Sequence, residues 1–143
     1  MSATLLYRIA AALLLLLLFA VGHTLGFLGF KPASAEGLAV RDAMSTVQFD
    51  FKGTSYTYGG FYKGFGLTVT AYLLFAAYLA WHLGGLAASQ PQSIGALGWI
   101  FAAVQLACVV LSVAYFFLVP ALFSGLVVVC LAWAAWLLRG TAA

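Results

Sequence analysis

Residues 5–30 read LLYRIAAALLLLLLFAVGHTLGFLGF, and whether this stretch is a discarded leader or a retained membrane span decides how many helices the protein has. Arg8 ahead of an apolar run, with Ala33-Ser34-Ala35 beyond it, has the outline of a secretory signal with a small-residue cleavage site. The apolar character continues through Leu25–Phe30, however, too far for an ordinary signal core. A hydrocarbon layer of ~30 Å needs ~20 helical residues, and this stretch supplies them around the unbroken run Leu13–Leu18. It is therefore expected to remain as a first transmembrane helix.

Three more apolar stretches follow, predicted as helices over about 60–86, 94–118 and 120–138. The polar link Ser89-Gln90-Pro91-Gln92-Ser93 separates the second from the third, and Pro120 opens the fourth at a position where a first-turn proline is tolerated. Arg139 closes it, placed to snorkel or to complement the helix end. Links this short demand antiparallel neighbours. The expectation is an all-α membrane protein: a single transmembrane domain over 1–143, built as a four-helix transmembrane bundle with both termini on one side. Tyr7, Tyr56, Tyr58, Trp81, Trp99, Tyr115, Trp133 and Trp136 fall mostly near the predicted ends, as interfacial belts do. The chain is 66% hydrophobic and 6% charged, with mean hydropathy +1.12. That leaves too little polar surface for a water-facing fold, and the bilayer becomes its main partner. The net charge of +3 comes from six scattered bases with no run, which excludes nucleic acid as a partner.

The one polar connection, Lys31–Lys63, holds all three acids (Glu36, Asp42, Asp50) and four of the six bases. Within it, over 31–59, Ala35, Leu38, Ala39, Ala43, Met44 and Val47 recur at spacings of three and four. This predicts a short amphipathic helix lying on the membrane surface or capping the bundle, with Ser34 at its start. Val47, Phe49 and Phe51 then alternate with Gln48, Asp50 and Lys52 ahead of Gly53-Thr54-Ser55. A two-stranded ribbon is one reading, and a loop leading into a helix capped near Thr54 or Ser55 is the other. Gly22, Gly26 and Gly29 share one face of the first helix, and Gly60 and Gly64 form a small-xxx-small pair on the second. Close helix packing is the default reading of both sets, and room for a ligand is the alternative. Orientation draws conflicting signals: counting Lys and Arg places the long connection in the cytoplasm, whereas Arg8 ahead of the first span argues for a cytoplasmic N-terminus.

His23 is an ionisable group at membrane depth, hence a candidate site residue. The structural alternative is a neutral imidazole bonded between helices, to Tyr58, Tyr62 or a backbone carbonyl. Asp50 near His23 would orient the ring and raise its basicity, as general-base chemistry needs; Asp50 paired with Arg41 or Lys52 on a wet surface is the competing reading. Arg41 offers a planar grip for a carboxylate or phosphate, and Tyr58 and Tyr62 would line an entrance. His82, beside Trp81 at the opposite end, is too distant to share a haem or metal with His23. No metal-ligand set and no cofactor fingerprint is present. Cys108 and Cys130 read as packing residues or as a possible bridge. Gln105 is expected to bond across helices in the third span.

Tyr7-Arg8-Ile9, Gly22-His23-Thr24-Leu25-Gly26-Phe27, Phe49-Asp50-Phe51, Thr57-Tyr58, Phe61-Tyr62 and Gly64-Phe65-Gly66-Leu67 together resemble a group of small bacterial integral membrane proteins predicted to have four helices. That resemblance implies a fold and a bacterial cell (inner) membrane setting, and no activity. The residues themselves lead to two expectations. One is a site for a lipophilic molecule at the loop end of helices one and two, with His23 and Asp50 as acid–base groups of an isomerase or cyclase and Arg41, Tyr58 and Tyr62 binding the ligand. The other is a non-catalytic accessory subunit that packs against itself or another membrane protein.

Overall fold

The computed structural model describes residues 1–15 and 20–139. Six α-helices and one ribbon make up the described chain: α1 Ala3–Leu15, α2 Ala20–Gly29, α3 Ala35–Thr46, strands β1 Gln48–Phe51 and β2 Thr54–Thr57, α4 Tyr58–Ser89, α5 Leu97–Tyr115 and α6 Leu118–Leu137. A single 3₁₀ turn, Pro91–Ser93, fills the polar link before α5. Helices α4, α5 and α6 are each long and apolar enough to cross a membrane, whereas α1 is apolar but shorter. The predicted continuity of the first span runs through residues 16–19, outside the described residues.

Packing follows side-chain size. Leu73, Ala76, Ala77, Ala80, Leu83 and Gly84 form the buried stripe of α4 at helical spacing. Against it lie Leu6, Tyr7, Ala10, Ala11 and Leu14 of α1. Small residues let backbones approach, which is how helices associate where lipid offers no hydrophobic gain. Gly84 marks the closest point: a Cβ there would stand 3.3 Å from the Thr4 carbonyl oxygen and 3.2 Å from Arg8. α1 also packs on α6, and α6 on α5. The outward faces of α5 and α6 (Ile100, Val104, Leu111, Leu122, Val129) stay exposed, as lipid-facing surfaces do.

α4 and α5 meet through side chains. Gln105, fully buried in α5, donates from Nε2 to the Tyr72 hydroxyl of α4 at 2.8 Å, as the cross-helix expectation for Gln105 requires. Cys108 approaches the same hydroxyl at 3.9 Å, and both cysteines are free, so no bridge joins Cys108 to Cys130. Tyr72→Phe strands the Gln105 amide inside the bundle. A loss of about 0.6–1.7 kcal/mol is expected from membrane hydrogen-bond energies, checked by reversible unfolding in mixed detergent.

The end distant from the ribbon carries paired aromatics and bases. The Arg8 guanidinium lies 4.8 Å over the Trp81 ring and Arg139 4.6 Å over Trp99, a disposition that holds cations at an interface. Tyr78 stacks on His82 beside them.

α4 has 32 residues, about 48 Å at 1.5 Å per residue. It is thus longer than a bilayer core, and its first turns carry the connection. The ribbon is formed, antiparallel, with Phe49 opposite Tyr56 and Asp50 opposite Ser55. Its two-residue turn is Lys52–Gly53, with φ +50° and +81°, the positive values that hairpin turns of type I′ require. The helix cap predicted near Thr54 or Ser55 is instead Thr57, whose hydroxyl accepts from the Gly60 amide at 3.0 Å, because Thr54 and Ser55 are committed to the strand. Phe49 docks the ribbon on α4 through Tyr58 (5.0 Å) and Phe61 (5.7 Å, edge-on).

Candidate functional site

α3 begins where the sequence expects, with the Ser34 hydroxyl accepting from the Gly37 amide at 3.0 Å. Of the predicted apolar stripe, Ala35, Leu38, Ala39, Ala43 and Val47 are exposed and Met44 is half-buried. The face turned toward α2 and α4 is Gly37, Val40, Arg41, Met44 and Ser45, at spacings of three and four. Two glycines set this docking. A Cβ on Gly37 would collide with the Pro32 ring at 2.6 Å, and one on Gly59 would stand 3.0 Å from the Met44 carbonyl oxygen. The first turn of α4 therefore fits against the last turns of α3.

Under that face lies a cavity of about 570 Å³, within the size range of small-molecule sites. Phe27 and Leu28 of α2, Phe30 and Pro32 of the following link, and Gly59, Tyr62 and Lys63 of α4 complete its lining. Arg41 and Lys63 are the charged side chains among these residues, and no acid lines it. Arg41 is fixed by its backbone contact: a guanidinium N–H donates to the Phe30 carbonyl at 2.8 Å. This places positive charge against the carbonyl end of α2, an arrangement stabilised by about 0.3–1 kcal/mol through the helix dipole. A second, smaller groove of about 400 Å³ lies between α1 and α4. It is apolar apart from Arg8, whose guanidinium is already stacked over Trp81, so fewer polar groups converge there.

The five residues singled out from the sequence have different placements. Arg41 and Tyr62 line the cavity. Tyr58 does not; its ring stacks with Phe49 in the ribbon contact. His23 sits one layer behind the cavity wall. Its Nε2 is 3.1 Å from the Gly66 carbonyl oxygen on α4, and that partner assigns the proton to Nε2. This is the backbone-carbonyl alternative foreseen for it. The imidazole rests on the Phe27 ring at 5.1 Å, and Phe27 meets Tyr62 edge-on at 6.4 Å. Asp50 lies exposed on the ribbon and takes its hydrogen bond from Ser55 across the strand pair. His23 and Asp50 thus have separate partners, and neither lines the cavity.

Beside His23, Thr24 and Thr70 join α2 to α4 at 2.8 Å. Thr24 also reaches the Ala20 carbonyl at 2.6 Å, and Thr70 the Gly66 carbonyl at 3.2 Å. Two hydroxyl protons serve these three contacts, so one contact is unprotonated at any instant.

Sequence reasoning missed Lys63, Met44 and Phe27 as lining residues. Lys63 had a legible signal, being a base one residue after Tyr62 at the start of a membrane helix. Comparison of the chain with models of protein families, with curated proteins and with solved structures finds no match. Function is therefore argued from the site.

Proposed function

We propose that this is a small multi-pass membrane protein that holds a lipophilic molecule bearing one polar group in the cavity between α2, α3 and α4. The observation carrying this reading is the cavity itself: an apolar lining with a few convergent polar groups, roofed by a helix whose docking depends on Gly37 and Gly59. In this reading α1 and α2 belong to one span, and four spans form a bundle whose first member contacts α4 and α6. The setting is a bacterial cell membrane, as the resemblance in α1, α2 and the connection implies. The placement of His23 behind Phe27 and of Asp50 on the ribbon favours holding the ligand over acid–base turnover of it.

The test is native mass spectrometry of the protein released from nanodiscs, wild type against Val40→Trp. Val40 lines the cavity and is largely exposed, so an indole fits there without disturbing the helix core. The wild type is expected to retain a discrete small molecule that the folded variant lacks. Equal adducts in both samples would defeat the reading. A constant complex with another membrane protein in both would favour the accessory-subunit alternative.

A further inference from the structure

The charge of the lining restricts the ligand class, and this inference rests on the cavity being a ligand site. Arg41 and Lys63 bring two positive charges to one apolar chamber with no lining carboxylate to neutralise them. Arg41 spends one of its five N–H donors on the Phe30 carbonyl, which anchors the guanidinium beside the chamber. Ser45 and Tyr62 add hydroxyl groups to the same wall, and Phe27, Leu28 and Met44 supply hydrocarbon. A neutral lipophile would make no use of the two cations, both of which are exposed at the cavity. A small hydrated anion would leave the aromatic and aliphatic wall without contact. We propose that the chamber takes an anionic amphiphile, a hydrocarbon chain ending in a carboxylate or a phosphate. The anion lies between Arg41 and Lys63, and the chain lies along Phe27, Leu28 and Met44. The guanidinium suits either anion because its planar donors match two oxygens at once, while the ammonium acts as a point charge.

The experiment measures binding to the full chain in detergent micelles with matched pairs: oleate against oleyl alcohol, and phosphatidic acid against diacylglycerol, with inorganic phosphate as competitor. The charged member of at least one pair is expected to bind tenfold or more tightly than its neutral partner. Which pair discriminates separates a free fatty carboxylate from a phospholipid head group. Lys63→Gln, which removes a side chain with no hydrogen bond to the fold, is expected to weaken the charged ligand at least fivefold and leave the neutral one unchanged. Arg41→Gln is expected to weaken it at least tenfold. Equal binding within both pairs, abolished for all by Val40→Trp, would overturn the anion assignment while keeping the cavity as a site. Binding indifferent to Val40→Trp, or absent for all four compounds, would overturn the site itself. Displacement by millimolar inorganic phosphate would overturn the amphiphile in favour of a soluble anion.

Discussion

Gly98→Ala is expected to destabilise the protein by about 2 kcal/mol, and Gly98→Leu by about 3 kcal/mol or more, in the range for overpacked cores. Tyr7 is fully buried on α1. A Cβ at Gly98 on α5 would stand 2.5 Å from the Tyr7 hydroxyl and 3.2 Å from the Ala135 Cβ of α6. Three helices therefore converge on one missing methyl group. The Tyr7 ring is fully buried among the helices, so it has little room to swing away. The hydroxyl that fills the space has no hydrogen-bond partner among the described residues, and a buried unsatisfied donor costs about 1–3 kcal/mol. Tyr7→Phe is accordingly expected to be neutral or to stabilise by about 1 kcal/mol. In the double variant the oxygen is gone, and the cost of Gly98→Ala should fall to about 0.5 kcal/mol, a coupling that non-additive neighbours show. Unfolding of the four proteins in the same detergent mixture measures the cycle. A Tyr7→Phe loss above about 1 kcal/mol would mean that the hydroxyl has a partner and that this account of the α1–α5–α6 junction is wrong.

Such junctions show what the sequence discloses and what it withholds. The apolar helices were legible because hydropathy and length state the solvent directly. The Ser34 cap and the cross-helix bond of Gln105 were legible because few residue types can serve those ends. The close-packing reading fails at three of the glycines. Gly26, Gly29 and Gly64 meet nothing within 4 Å, whereas Gly37, Gly59, Gly66, Gly84 and Gly98 sit where a side chain would press on a neighbour. Small-xxx-small spacing identifies residues that share a face, and it carries no information on whether that face meets protein or lipid. The spacing left the orientation of α3 open for the same reason. Its Leu38–Val47 stripe is more apolar than its Val40–Met44 face, and at a membrane boundary the more apolar side has lipid available to it. Asp50 fell in an alternating segment that read as a ribbon or as a loop, and alternation alone leaves open which side of a ribbon faces the bundle. The pairing of Asp50 with Ser55 needed the register, which the Lys52–Gly53 turn sets.

The junction of α2 with α4 supplies the second large effect. Gly66→Leu is expected to cost about 3 kcal/mol and also to release the ligand, although Gly66 does not line the cavity. A Cβ at Gly66 would stand 2.6, 2.7 and 2.9 Å from three atoms of the Phe27 ring. That ring is held between His23 and Tyr62, so it can yield to a leucine only by turning into the cavity it lines. The alternative is for α2 to withdraw from α4. Withdrawal separates His23 from the Gly66 carbonyl and Thr24 from Thr70, each worth about 0.6 kcal/mol in a membrane. It also moves Phe27, Leu28 and the Phe30 carbonyl on which Arg41 is anchored. Stability and ligand retention should therefore fall together in Gly66→Leu. His23→Leu, which removes the hydrogen bond and inserts no atoms against Phe27, is expected to cost about 1 kcal/mol and to keep the ligand. Gly64→Leu is the control: it lies two residues away and meets open space, so its cost should stay within about 0.5 kcal/mol. Unfolding free energies and adduct retention measured on the same three variants test the chain of contacts from α4 through Phe27 to the cavity. A Gly64→Leu penalty equal to that of Gly66→Leu would show that bulk near the loop end, rather than the Phe27 contact, governs how α2 sits.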